Sequence, residues 1–138
     1  MWFVYALLGA VFAALTSILA KIGIQNISSH LATAIRTVVV LVMAWGITLV
    51  LGQHKQLHTL TQRNWWFLIL SGVATGLSWI FFYRALQLGD ASKVVSVDKL
   101  SVVFTLIFAV LVLREPLTAK SLIGGVLVSA GVIVMALK

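Results

Sequence analysis

The residues of this sequence that are most capable of chemistry are charges placed inside apolar segments. All three acidic residues lie within one stretch of the chain, as Asp90, Asp98 and Glu115. Asp98 lies seven residues beyond Ala91, at the start of an apolar segment. In a helix this spacing corresponds to a depth of about 10 Å. A charge at that depth costs about 2.5–3.5 kcal/mol on insertion scales, so it requires a partner or a function.

Asp98 has two interpretations. In the functional one it binds a proton or an ion in a translocation pathway, with Arg36 or Lys21 as its counter-charge. In the structural one the same ion pair only locks the fourth helix against the first or the second. Charges deep in membrane segments more often mark a pathway, which favours the functional interpretation.

The composition indicates an integral membrane protein. Of the 138 residues, 62% are hydrophobic and 9% are charged, whereas soluble domains are about half apolar and about a quarter charged. A membrane-spanning helix needs about 20 apolar residues. Five segments meet this requirement, at roughly 2–24, 31–51, 65–86, 91–114 and 118–137. The sequence therefore predicts an all-α bundle of five transmembrane helices that forms a single domain over residues 1–138.

Four of these segments carry a stripe of small or polar residues at helical spacing. Polar residues inside membrane segments face the bundle interior, so the stripes are expected to line a shared substrate pathway. The predicted pathway residues are Ser17, Lys21, Arg36, Ser71, Thr75, Trp79, Asp98, Ser101 and Thr105. Trp79 either offers a flat face to the substrate or packs against a neighbouring helix.

The fifth segment has a different pattern. Ser121, Gly125 and Ser129 recur every four residues, a spacing that lets helix backbones approach closely in lipid. We expect this face to form the interface of a homodimer.

Several other functions are disfavoured by the sequence. It contains no phosphate-binding glycine loop, no HExxH motif and no nucleophile–base set, so we expect no enzyme activity and no cofactor. Without cysteine, and with His54 and His58 in a polar loop, no metal site is predicted. The net charge of +7 comes from singly scattered Lys and Arg, which favours lipid headgroups over nucleic acid as their partner.

The distribution of positive charge gives a weak instruction for orientation. With five spans, the side of the N-terminus carries Lys55, Arg63, Arg114 and Lys120, and the other side carries Arg84, Lys93 and Lys138, with Lys21, Arg36 and Lys99 deeper. Orientation follows the bias of Lys and Arg between the two sides. The near balance predicts either insertion in both orientations or a single orientation decided by one deep lysine or by the amino terminus.

The order of several motifs resembles the EamA-type domain of the drug/metabolite transporter superfamily over essentially the whole chain. The motifs are SILAKIGI with Lys21, LATAIRTVVVL with Arg36, FFYRALQLGDAS at the end of the third helix, and LREPLT with Glu115 before a glycine-rich fifth helix. The resemblance implies a bacterial or archaeal transporter of the short type. Longer family members contain two such five-helix units of inverted topology, so a single unit is expected to pair with itself.

Two positions depart from the family pattern. Many relatives have a proline in the middle of the fourth helix, where this sequence has Val102 just after Asp98 and Lys99. The related small multidrug exporters carry a glutamate in the first helix, which here offers no acidic residue. Proton-coupled export by that mechanism would therefore require Asp98 to replace the glutamate.

The resulting hypothesis is a small secondary transporter in the cytoplasmic membrane of a prokaryote. It would move a metabolite or drug-like solute as a homodimer, with antiparallel subunits and with Asp98 as the coupling group. The excess of cations in the pathway favours an anionic or zwitterionic solute. The alternative is a non-transporting membrane subunit that assembles with a partner protein and stabilises it.

Overall fold

The computed structural model describes residues 1–137, and within this range it is helical with no strand. The helices are α1 (Trp2–Gly23), α2 (Ser29–Val50), α3 (Gln62–Leu88), α4 (Ala91–Asp98), α5 (Ser101–Leu111) and α6 (Ala119–Ala136), with a 3₁₀ segment at Gln53–Thr59. Five spans in the described residues are long and apolar enough to cross a membrane, with α4 and α5 together counted as one. The predicted fold class is confirmed.

Most large apolar side chains of the spans are exposed on the chain surface, as expected for helices that face lipid. The helix ends are fixed by local polar groups. Ser28 and Thr118 are the N-caps of α2 and α6, and their hydroxyl oxygens accept hydrogen bonds from the backbone N–H groups of Leu31 and Ser121, each at 3.1 Å. These bonds satisfy N–H groups that have no partner within their helix.

The fourth span is interrupted, whereas the sequence predicted one helix over 91–114. The backbone N–H groups of Lys99, Leu100 and Val102 each donate to the carbonyl three residues earlier, at 3.0 Å. This is the tighter 3₁₀ pattern, and it separates α4 from α5. The span also ends at Leu111, before Arg114, which adopts a positive φ of 56°.

The chain divides into two compact units. The central unit is Leu19–Gln87, and the terminal unit comprises Met1–Ile18 and Leu88–Lys138. In the central unit, the side-chain amide of Gln87 donates to the carbonyl of Ile27 at 2.6 Å, which ties the end of α3 to the connection between α1 and α2. Tyr83 and Leu86, on the preceding turn of α3, are the largest fully buried side chains.

In the terminal unit, α6 packs against both α4 and α5. The Ser96 hydroxyl lies 3.1 Å from the Sδ atom of Met135, which joins α4 to α6. Gly125 is buried, and a Cβ atom added there would lie 3.1 Å from Cδ1 of Leu106 in α5. A larger residue at position 125 would therefore require Leu106 to shift.

Candidate functional site

The central unit holds a cluster built on Arg36, which we call the Arg36 cluster and which consists of Arg36, Trp79 and Tyr83. The guanidinium carbon of Arg36 lies 4.3 Å from the centroid of the Trp79 ring and 5.6 Å from that of the Tyr83 ring. Arg36 Nη1 also donates a hydrogen bond to the Tyr83 hydroxyl. A cation over aromatic rings is stabilised electrostatically, by about 2 kcal/mol or more when it is removed from water.

The cluster is formed by side chains of two helices. Arg36 lies in the second turn of α2, and Trp79 and Tyr83 lie one turn apart on α3, at positions i and i+4 of one helix face. Tyr83 is only 1% exposed, whereas Arg36 is half-buried. The buried tyrosine therefore fixes a guanidinium that retains accessible surface.

The sequence predicted Arg36 and Trp79 as pathway residues, and the structure places these two side chains in contact. Tyr83 was not predicted from the sequence. The signal was present, because Tyr83 follows Trp79 by one helical turn. The predicted choice for Trp79 between substrate contact and helix packing stays open, since the contact with Arg36 is compatible with both.

Lys21 is a second cation of the central unit with a polar contact. Its Nζ donates a hydrogen bond to the backbone carbonyl of Leu86 near the end of α3. This contact joins the last turn of α1 to α3. A helix carbonyl near a C-terminus carries partial negative charge, so the contact stabilises the ammonium group.

In the terminal unit, Asp98 and Lys99 lie directly at the interruption between α4 and α5. Lys99 Nζ is 3.7 Å from Asp98 Oδ2, and the side chains are 52% and 41% exposed, respectively. The ion pair is therefore accessible. It joins Asp98, the last residue of α4, to Lys99, the first residue of the following turn. The predicted counter-charges, Arg36 and Lys21, lie in the other unit, and their pairing with Asp98 stays a prediction.

The stripe predicted for Asp98, Ser101 and Thr105 assumed a continuous α-helix. The 3₁₀ turn advances about 120° per residue instead of about 100°, which changes the angle between Asp98 and the residues of α5. Ser101 and Thr105 are exposed. Their role in the pathway stays a prediction. The single helical face that was expected to carry Asp98, Ser101 and Thr105 is interrupted by the 3₁₀ turn.

The remaining predicted pathway residues make local contacts. The buried Ser17 donates to the carbonyl of Ala13 at 2.9 Å, and Thr75 donates to the carbonyl of Ser71 at the same distance. Both bonds satisfy a hydroxyl within its own helix, as is common for serine and threonine in membrane helices.

The predicted dimer face is in part occupied within the chain. Gly125 contacts α5, the hydroxyl of Ser129 donates to the Gly125 carbonyl at 2.9 Å, and both residues line an apolar groove of about 410 Å³ between α5 and α6. Ser121 contacts the N-cap of the same helix. Of the three small residues, Gly125 thus packs against α5 within the chain, and the role of this face in dimer formation stays a prediction.

Among residues 1–137, no group of three or more His, Cys, Asp or Glu side chains is placed to hold a metal ion. The five long apolar spans define a multi-pass membrane protein.

Comparison with known proteins identifies the family. Residues 1–137 match the EamA-like transporter family, and the chain belongs to it. A Sinorhizobium protein described as an uncharacterized transporter in the cobO 3′ region is 46% identical over 135 residues, covering 98% of this chain and 96% of that protein. No solved structure gives a significant match.

Proposed function

We propose that this protein is a small secondary transporter that moves a metabolite or drug-like solute by alternating access. Its membership of the EamA-like transporter family supports a transporter role, as does its similarity to a protein named as a transporter. We further propose that it acts in the cytoplasmic membrane of a prokaryote as a homodimer of antiparallel subunits.

The observation that carries the proposal is the interrupted fourth span with an ion pair at the interruption. Discontinuous membrane helices are a recurring feature of transporters, in which the binding of substrate and coupling ion occurs where the helix is broken. The backbone N–H groups of Lys99, Leu100 and Val102 remain paired in the 3₁₀ pattern, and a 3₁₀ stretch inside a longer helix often marks a functional hinge. These observations support the accessible carboxylate of Asp98 as the proposed coupling group.

The size of the unit supports the proposed pairing. Transporters with inverted repeats place two units of opposite orientation around a site near the bilayer midplane. One five-span unit contains half of such a pair, and a second copy in the opposite orientation would supply the other half. The near balance of positive charge between the two sides supports insertion in both orientations.

The test is transport by purified protein in proteoliposomes. Candidate solutes are first ranked by the increase in melting temperature that they give, since ligands of the folded state stabilise it. The flux of the highest-ranked solutes is then measured with and without a pH gradient. No flux above protein-free liposomes for any stabilising solute would contradict the proposal and favour the non-transporting partner subunit.

The first prediction concerns Asp98. Asp98→Asn removes the carboxylate that couples transport, so we expect proteoliposomes with this variant to lose the response of flux to a pH gradient. Asp90→Asn is the matched control, because Asp90 is the N-cap of α4 without a side-chain capping bond and lies outside the helix. An unchanged pH response in Asp98→Asn would show that Asp98 is not the coupling group.

A further inference from the structure

The central unit has a marked charge imbalance. Residues 19–87 contain five Lys and Arg residues and no Asp or Glu. Among these cations, Arg36 lies in the second turn of its span. It is seven residues beyond Ser29, the first residue of α2, which corresponds to about 10 Å along the helix. Within its own unit, the charge of Arg36 is therefore not neutralised by any carboxylate.

The contacts of Arg36 hold it in place without neutralising it. Trp79 and Tyr83 provide ring faces, and the Tyr83 hydroxyl accepts a hydrogen bond from Nη1. All three groups are electrically neutral. A guanidinium has five N–H donors in a fixed plane, so donors remain beyond the one that binds Tyr83. A half-buried cation with spare donors is suited to an anionic ligand.

We propose that the Arg36 cluster is the binding site for the oxyanion of a small organic solute, either a carboxylate or a phosphate ester. The planar fork of arginine donors matches both groups in a bidentate geometry. Tyr83 is the positioning residue, because it is buried and orients the guanidinium, and the ring face of Trp79 also holds the guanidinium in place. The inference names the substrate class of the proposed transporter and therefore rests on that function.

The same oxyanion chemistry is available from two sources, a soluble anion and the phosphate of a lipid headgroup. A lipid contact is typical of arginines that extend along the helix toward the interface. Arg36 is instead held by two rings and a hydroxyl of α3. This restraint favours a solute that reaches the guanidinium, and the experiment separates the two sources.

The experiment measures thermal unfolding of the full chain in a detergent with an uncharged headgroup. The probes are butyrate, succinate and methyl phosphate at constant ionic strength, with butyramide as the neutral counterpart of butyrate. We expect at least one anion to raise the melting temperature in a saturable manner, and butyramide to have no effect. An absence of stabilisation by all three anions would overturn the proposal.

Arg36→Lys tests the role of the guanidinium. It keeps the charge but removes the planar fork, so the anion concentration at half-maximal stabilisation should rise by about tenfold or more, as expected for the loss of a charge-assisted hydrogen bond. Arg84→Lys is the matched control, because Arg84 lies in the same unit, is exposed and contacts Gln87. Equal affinity in the two variants would overturn the proposal.

A second pair of variants applies if Arg36→Lys does not fold. Trp79→Leu removes the ring face over Arg36, whereas Trp66→Leu removes an exposed tryptophan from the same helix. We expect weaker anion binding in Trp79→Leu alone. Equal affinity in both variants would count against the site.

The lipid arm repeats the titration with phosphatidylglycerol added to the micelles. Stabilisation by phosphatidylglycerol without any effect of the soluble anions would identify a lipid contact and overturn the assignment to a solute.

The binding site and the transport function can also fail separately. Anion binding that depends on Arg36 without flux of that anion would refute the transport function but not the site, whereas flux that is insensitive to Arg36→Lys would refute the site but not the transporter.

Discussion

The hydroxyl of Tyr83 accepts a hydrogen bond from Arg36 while its ring is almost completely buried. Removing this oxygen would leave a donor of the Arg36 guanidinium without its protein acceptor. A hydrogen bond to a charged group contributes about 1.5–3 kcal/mol. The contact therefore matters for stability as well as for the orientation of the guanidinium.

The prediction is that Tyr83→Phe lowers the free energy of unfolding by about 1–3 kcal/mol, because the ring is retained and only the acceptor is lost. Tyr5→Phe is the matched control, since Tyr5 is 74% exposed near the start of α1. Thermal unfolding of both variants in the same detergent gives the measurement. A melting temperature of Tyr83→Phe that equals that of Tyr5→Phe would show that the bond does not stabilise the protein.

Individual residues differ in how well the sequence predicts them. Arg36 and Trp79 were predicted because a charge and an aromatic residue inside apolar segments require a reason to be there. Tyr83 lies near the end of α3, where an aromatic residue is also expected at the interface. Its partner could not be predicted, because the contact between α2 and α3 depends on how the helices pack.

At the scale of the elements, the interruption of the fourth span could not be read from the sequence. Residues 91–111 contain neither glycine nor proline, which are the usual causes of a broken helix. The Ser96 hydroxyl donates to the carbonyl of Ser92 at 2.6 Å, one turn before the break. Such bonds from serine to the preceding turn often bend helices, and here the contact with Met135 adds a tertiary restraint that Ser17 and Thr75 do not have.

The five spans themselves were predictable, because their length and apolar composition match what a helix needs to cross the bilayer. The ends of the helices at the polar connections were less predictable. The predicted fourth helix extended to residue 114, whereas α5 ends at Leu111. Leu113 and Arg114 belong to the corner instead. The positive φ of Arg114 is a local conformation that hydrophobicity does not specify.

The contact between α5 and α6 gives a prediction at this scale. Gly125→Leu places a side chain against Leu106, where even a Cβ atom would lie 3.1 Å from Cδ1. Overpacking of this kind costs about 1–3 kcal/mol. Gly124→Leu is the control on the same helix, because a Cβ atom there meets nothing within 4 Å.

The measurement is the melting temperature of the two leucine variants relative to the unmodified protein. We expect a clear decrease for Gly125→Leu and a small change for Gly124→Leu. Similar melting temperatures of the two variants would mean that α5 and α6 do not require a small residue at position 125.

At the scale of the whole molecule, the distribution of charge is uneven along the sequence. All three acidic residues lie in the terminal unit, and the central unit carries only cations. The positive charges are nonetheless almost balanced between the two predicted membrane sides, although Lys138, one of the residues counted, lies outside the described residues. A nearly balanced chain should change its orientation in response to a small change in charge.

This sensitivity is tested with Gln53→Lys and Gln56→Lys in the loop between α2 and α3. Positive charges are retained in the cytoplasm, so the double variant should hold this loop inside and place the C-terminus outside. The control is Gln53→Asn and Gln56→Asn, which leaves the charge unchanged. An unchanged distribution of orientations in the lysine variant would show that the charge balance does not determine orientation.

The central claim is that one five-span unit pairs with an oppositely oriented copy of itself. The most direct test is a C-terminal reporter fusion read in both compartments, with a fluorescent protein active inside the cell and alkaline phosphatase active outside. If the subunits pair in opposite orientations, we expect substantial activity of both reporters from the unmodified chain. Activity of one reporter only would establish a single orientation and contradict the antiparallel homodimer.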